Sequence, residues 1–388
     1  MTPEAADALA TAPAAYVHIP FCARVCPYCE FAVVAGRDEL AERYVEAVVA
    51  EIGMSERWRP LESVYLGGGT PSRVAPELLG RVLEALDARH GLAEGVEVSI
   101  EVNPEDVDRD LAARLLGVGF NRISFGVQSL DGRVLVGLGR AHTPERALRA
   151  VRDARDAGFT SVSVDLIYGT PGETDGSWRA TLAAAVDAGI DHASCYALTV
   201  EKGTELFRRV RAGEPAPDPD VQADRWEAAD AFLATAGFAR YEASNWARPG
   251  HECRYNLTIW AQGEYEAYGV GAHGFRDGVR TRNMRHIDTY LETVESGRRP
   301  VAGAEAVTGW EAEVDRVFVG LRRAVGVAHG PGTRRLLDDP EGRRLLEAGV
   351  IADTGDRLVV ARPLLTDWVH RALLGLPGWD EPAEPDIV

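Results

Sequence analysis

The chain has 388 residues, 46% of them apolar and 26% charged, the composition of a globular protein with a real core. Its 42 Lys and Arg against 60 Asp and Glu leave a net charge of −18, which argues against non-specific nucleic-acid binding because a duplex would be repelled. There is no run of 18 or more apolar residues and no basic segment followed by an apolar one at the start, so neither a membrane span nor a secretory signal is expected, and a cytoplasmic location is.

Residues 1–14 read as a short mobile tail. From residue 15 to 237, short apolar runs alternate with amphipathic ones. The runs at 15–19, 63–66, 97–102, 121–127, 161–167 and 192–198 are β-branched or aromatic and bounded by Gly, Pro or polar residues, so they predict strands. The stretches 38–52, 77–89, 108–116, 144–157 and 177–188 carry helical spacing, several with Gly soon after the end. Parallel neighbours need crossovers, so six strand–helix units predict a parallel sheet, open as a partial (β/α)6 TIM-like barrel. A Pro-rich break, Gly213 to Asp220, precedes a helix over 221–236. Residues 238–300 are rich in Tyr, Trp and His and read as a connecting segment that closes the barrel. Within them Gly269-Val-Gly271-Ala-His273-Gly274 fits a dinucleotide spacing, but no amphipathic helix follows, so a tight turn near the ligand mouth is the better reading. Residues 301–375 read as a mostly helical, winged-helix-like domain with a hairpin at 350–360, and 376–388 as an acidic tail.

Such sheets place chemistry on the loops that follow strand C-termini. The unusual residues fall there: His18 to Cys29, Gly67-Gly68-Gly69-Thr70-Pro71, Asn103-Pro104-Glu105, Gln128, and Tyr168-Gly169-Thr170-Pro171-Gly172. Of five cysteines, Cys22, Cys26 and Cys29 lie within eight residues, which marks a metal or redox site; Cys195, inside a strand, reads as core. Three thiolates suit zinc, with His18 as a possible fourth ligand, although a strand position makes its reach doubtful. They also suit a 4Fe-4S cluster with one iron left open. The glycines beside it let backbone approach a small charged ligand, because no Cβ intervenes.

The Cys22-x3-Cys26-x2-Cys29 spacing with Tyr28, followed by Gly67-Gly68-Gly69-Thr70-Pro71, resembles the radical SAM (S-adenosylmethionine) proteins. Tyr16-Val-His-Ile-Pro-Phe-Cys22, Gly126-Val-Gln128, Gly139-Arg140-Ala-His142 and Asp165-Leu-Ile-Tyr-Gly169 resemble one branch, the oxygen-independent coproporphyrinogen III oxidases and the haem chaperones of the HemW type. The resemblance covers about residues 15–375. It implies cluster ligation by Cys22, Cys26 and Cys29. It implies SAM contacts from Tyr16, Tyr28, Gly68, Gly69, Thr70, Glu101, Gln128, Arg140 and Asp165. His142 is a further candidate donor to SAM or to a porphyrin propionate, with a surface role as the alternative.

Two features favour the chaperone branch. The oxidases carry a further Cys two residues after the third, where this chain has Phe31, and a longer segment before the cluster, where this chain has 21 residues. Arg254 to Trp260 resembles a chaperone motif, His-Asn-x-x-Tyr-Trp, with Tyr255 in place of the His. Haem candidates are therefore Tyr255, His251 and Cys253, set against packed aromatic roles for the same side chains. The expected partners are haem and acceptor haemoproteins. The alternatives are the oxidase, which decarboxylates two propionates to vinyl groups, and a zinc protein without SAM chemistry.

Overall fold

Six strands alternate with helices from Ala14 onward: β1 (Ala14–Ile19), β2 (Leu61–Gly68), β3 (Leu92–Val102), β4 (Arg122–Gln128), β5 (Ser161–Tyr168) and β6 (His192–Ala197). The structure, a computed structural model, describes residues 2–376. Neighbouring strands in this series all pair parallel. The connecting helices are Ala41–Met54, Pro76–His90, Arg109–Gly117, Pro144–Ala157 and Asp175–Asp187. Local sequence sets their ends. Asp108, Thr143 and Thr174 cap three of them through side-chain oxygens, and Gly158 ends one at a left-handed φ of 109°.

The strand period of two separates two faces. One set, including Val17, Ile19, Val64, Leu66, Ile100, Ile123, Phe125 and Val164, is buried in the main apolar core with the helices. The alternate set is polar: Tyr16, His18, Tyr65, Glu101, Arg122, Ser124, Ser163, Asp165 and His192. Hydrogen bonds run between its members on adjacent strands, as Tyr65–Glu101, Ser124–Asp165 and Ser163–His192. The concave face is therefore a polar lumen and the convex face is the core.

The sheet has twelve strands. Beyond β6 lie β7 (Ala239–Arg240) and β8 (Asn245–Ala247). Beyond β1 lie β9 (Tyr265–Tyr268), β10 (His273–Arg276), β11 (Val279–Asn283) and β12 (Val301–Ala306). The order is β12-β11-β10-β9-β1-β2-β3-β4-β5-β6-β8-β7, so the sheet has two free edges and the barrel is partial. Thus 238–300, expected as a connecting segment, supplies strands to both edges and a helix, Arg254–Trp260, whose Tyr255 stacks on Tyr65 at 5.1 Å and on Tyr16 at 6.0 Å. This contribution was hidden because strands of two to five residues carry almost no period signal.

The C-terminal region has its own core, built on Val317, Leu321, Leu336, Leu358, Val369 and Leu373. Its helices surround a three-stranded antiparallel sheet of Val327–Ala328, Arg357–Val360 and Ile351–Asp353, one strand more than the expected hairpin. The expected acidic tail lies outside the described residues except for Leu376, which joins this core.

The N-terminus departs from expectation. In place of a mobile tail, Pro3–Ala8 is a helix capped by Thr2, and Ala6 is fully buried. Asp7 accepts hydrogen bonds from Arg357 at 2.5 and 3.0 Å and from Arg323 at 3.2 Å. Arg323 also donates to the Ala6 carbonyl at 3.2 Å. Both arginines are 5% exposed, so one carboxylate on a short helix neutralises two buried cations of the C-terminal region.

Asp7→Ala is expected to lower unfolding free energy by about 1–3 kcal/mol in urea, since it removes the charge partner of two buried guanidinium groups and leaves them only backbone acceptors. Burial pushes the Asp7 carboxyl up, but Arg357 and Arg323 outweigh it and hold the pKa below 3.8. Its contribution is therefore full above the unfolded-state value and is lost as pH falls through the lower folded one. The wild-type-to-mutant difference should vanish at the acid end of a pH series of urea melts.

Candidate functional site

The loop after β1 carries all three clustered thiols. Its two ends are joined by a parallel pairing of Phe21–Cys22 with Val34–Ala35. Inside, the Cys29 N–H donates to the Cys26 carbonyl at 3.1 Å, forming a turn. Cys22, Cys26 and Cys29 are free and half-buried. Burial pushes the Cys29 thiol up to about 11, with neighbouring Cys26 and Cys22 adding, and it raises Cys22 against the opposing hydrogen bond from Thr70. Thiols held in the protonated form by burial are converted outright to thiolates by a coordinated cation. Among the described residues, no three Cys, His, Asp or Glu side chains converge on a single-ion point. A cluster instead offers separate iron corners to separate thiols.

His18 holds this loop to the sheet. Its Nε2 lies 2.8 Å from the Ala32 carbonyl, which can only accept, so Nε2 donates and Nδ1 accepts from the Tyr16 hydroxyl at 3.0 Å. Burial outweighs the Ala32 bond and holds the imidazole neutral, with a pKa of about 4. Both ring nitrogens are thus occupied, and His18 is a tie between strand and loop. It is not the fourth metal ligand that its spacing offered.

The glycine loop packs directly on this tie. Gly68 has a φ of +103°, and a Cβ there would run into the His18 ring. A Cβ on Gly69 would lie 2.6 Å from the Ile19 carbonyl. Backbone bonds then stitch the loops together, Gly69 N–H to Ile19 at 2.9 Å and Thr70 N–H to Phe21 at 2.8 Å. The Thr70 hydroxyl is 3.5 Å from the Cys22 sulfur. The glycines were expected to admit a ligand; they also let two loops of protein meet.

Glu101 sits behind the glycines. It accepts from Gly68 N–H at 2.9 Å and from the Tyr65 hydroxyl at 2.8 Å. Burial, then nearby Asp165, raises its pKa to about 7. Asp165 accepts from Ser124 at 3.1 Å and is also pushed upward by burial. Gln128 ends β4 in the left-handed region, φ 64°, where the pairing register with β5 shifts. Such a conformation is sustained only where the surroundings impose it. Arg140 reaches from the following loop to the Cys26 sulfur at 3.4 Å and to the Gly126 carbonyl at 2.9 Å. Its Nε, like the Thr170 hydroxyl, is buried without a partner. Tyr28 lies against an apolar group that includes Ile167, Leu198 and Leu206. Glu101, Gln128, Arg140 and Gly68–Thr70 are thus gathered round the cysteine loop, with Tyr16 joined through His18 and Asp165 through Ser124.

Two residues had no firm role in the sequence. Asn103 accepts from Arg140 and donates to Thr70 at 3.1 Å, so it links three loops; its position just past β3 was the available signal. His142 is buried, 3.0 Å from the Val127 carbonyl and 3.2 Å from Glu105, so it braces loops and does not face a ligand.

The haem candidates separate. Tyr255 enters the lumen as part of the Tyr16–Tyr65 stack. Cys253 is fully buried with its thiol on Glu97 at 3.6 Å, and burial pushes it up to about 12. Glu97 precedes the end of β3 by five residues, roughly 16 Å at ~3.3 Å per residue. Cys253 therefore belongs to the floor of the barrel, far from the cysteine loop. His251 precedes it in the same floor segment.

Three free thiols on the loop after β1 of an open parallel sheet, with the glycine loop and the buried Arg140 Nε beside them, fit a radical SAM protein. The Radical SAM superfamily model matches residues 16–185. The Heme chaperone HemW of Mycobacterium tuberculosis is 42% identical over 373 residues, 93% of this chain and 94% of that protein. The Heme chaperone HemW of Lactococcus lactis is 33% identical over 81% of this chain and 82% of its own. A radical S-adenosyl methionine domain-containing protein 1 (mitochondrial) of Bos taurus is 37% identical over 81% of this chain and 74% of its own. The chain belongs to the HemW family. In fold it is similar to the coproporphyrinogen III oxidase of Escherichia coli, with a TM-score of 0.80 at 22% identity over 96% of this chain and 93% of that one.

Gly68→Ala combines a left-handed φ with a clash against His18. It is expected to cut iron and sulfide per chain by more than half after anaerobic reconstitution, while far-UV circular dichroism stays at wild type. Full cluster loading in that variant would show that the glycine loop does not set the cysteine loop.

Proposed function

We propose that the protein is a haem chaperone that holds a 4Fe-4S cluster and SAM, binds haem and passes it to acceptor haemoproteins, acting in the cytoplasm. The observation that carries this reading is the identity with HemW proteins across nearly the whole chain. Phe31 supports it: this side chain stands where the oxidases carry a further Cys, and it is 65% exposed. The likeness to the oxidase is one of fold.

When bound, a cluster on three thiolates leaves one iron for an exchangeable ligand, the role SAM fills in this superfamily. In this chain Cys22, Cys26 and Cys29 are the cluster donors. Gly68, Gly69 and Thr70 offer backbone without obstruction beside them. Glu101, Asp165 and Gln128 present oxygens to amine and hydroxyl groups, and Arg140 a donor fork suited to a carboxylate. Tyr16 and Tyr28 offer aromatic faces. His18 and Asn103 keep these loops in register.

No helix among the described residues is long and apolar enough to cross a membrane.

The test pairs two assays on the anaerobically reconstituted chain. With coproporphyrinogen III, SAM and a reductant, no protoporphyrinogen should form. With haem loaded and an apo-haemoprotein added, the haem spectrum of the acceptor should appear. Steady decarboxylation would assign the oxidase activity instead, and zinc without iron or sulfide would assign neither.

A further inference from the structure

A protein of net charge −18 has little reason to gather cations on one exposed surface, yet one such patch lies at the lip of the cysteine loop. His273 on β10 pairs directly with Arg282 on β11. His273, Arg282 and Arg285 are all exposed. Among the described residues, neither the His273 nor the Arg282 side chain makes a hydrogen bond or an ion pair; their pairing is through the strand backbone. Arg285 donates to the carbonyl of Glu30, which ties the patch to the cysteine loop. Gly271, two residues before His273, packs so closely on Ala32 that a Cβ would come within 2.8 Å of it. Phe31, beside Ala32, is 65% exposed.

Haem is a flat apolar macrocycle with two carboxylates and an iron that takes an axial ligand. An aromatic side chain answers the first feature, arginine forks the second and a neutral imidazole the third. The Gly271–Ala32 approach and the Arg285–Glu30 bond set the hairpin that carries His273 and Arg282 against the loop that carries Phe31. Partial burial, with Arg282, Arg285 and Arg280 nearby, holds His273 below the usual imidazole value of 6.5, so its lone pair is free at neutral pH. The residues suggested by the HemW motif answer less well. Cys253 is sealed in the barrel floor, and Tyr255 is locked in a tyrosine stack. Cargo that must leave for an acceptor is also better held at a surface than inside a lumen.

We propose that His273 is the axial ligand of a surface haem site, with Arg282 and Arg285 receiving the propionates and Phe31 lying against the macrocycle. The site rests on the chaperone reading above and gives it a location.

The experiment titrates ferric haem into the full, cluster-loaded chain under anaerobic conditions, following the Soret band and electron paramagnetic resonance. His273→Ala should weaken binding about tenfold or more and change the axial-ligand signature, and added imidazole should restore it. Iron–sulfur content and melting temperature should match wild type. Arg282→Gln with Arg285→Gln should weaken haem roughly tenfold but leave haem dimethyl ester, which has no free carboxylates, unaffected. A wild-type signature and affinity in His273→Ala would overturn the site, as would loss of the signature in Tyr255→Phe alone. Wild type that binds no haem would overturn the site together with the chaperone reading, so the two failures are told apart by the unmutated protein.

Discussion

The structure turns on one buried imidazole. His18 donates to the Ala32 carbonyl on the cysteine loop and accepts from Tyr16 on its own strand, so it fastens the loop that bears the thiols to the rigid sheet. A long loop carrying three nucleophilic side chains would otherwise pay conformational entropy each time it assembled a site. The tie works because the ring is neutral. Its donor faces a carbonyl and its acceptor faces a hydroxyl, leaving no unpaired polar atom in a buried position. The glycine loop follows from the same constraint. Only residues without a Cβ can lie against that ring and against the Ile19 carbonyl, which gives Gly68 and Gly69 a packing duty beside any role toward a ligand.

Around this tie, function is layered on the strand period. One face of each strand is committed to the apolar core, so every polar group the site needs has to come from the other face or from the loops. The lumen accordingly holds Glu101, Asp165, Arg122 and several hydroxyls. Glu101 and Asp165 are both pushed toward their neutral forms by burial. The carboxyl and hydroxyl oxygens of this lumen are hydrogen-bond acceptors, whereas the outer surface around His273 is basic.

The C-terminal region shows the same economy. Its own core is small, and two buried arginines, Arg323 and Arg357, take their carboxylate partner, Asp7, from the far end of the chain. The first helix therefore acts as a strap across the C-terminal region.

Much of this was legible in the amino-acid sequence. The six parallel strands were marked by β-branched runs, the helices by spacing and caps, and the candidate cluster residues by three cysteines too close together for chance. These signals are local, written within a few residues of each other. The short edge strands, Asn103 as a link between three loops, the fate of Cys253 and the docking of the N-terminal helix were not legible. Asp7 and Arg357 are 350 residues apart in sequence, and nothing in either neighbourhood refers to the other. Likewise nothing in the sequence joins Phe31 to Arg282 and His273 until Gly271 is seen packed on Ala32. Residue order alone decided the kind of elements and the candidate cluster donors, because periodicity and ligand spacing are properties of adjacent residues. Tertiary structure alone decided which groups share a surface, because that depends on side-chain volume and hydrogen-bond closure between segments that meet only in the folded chain.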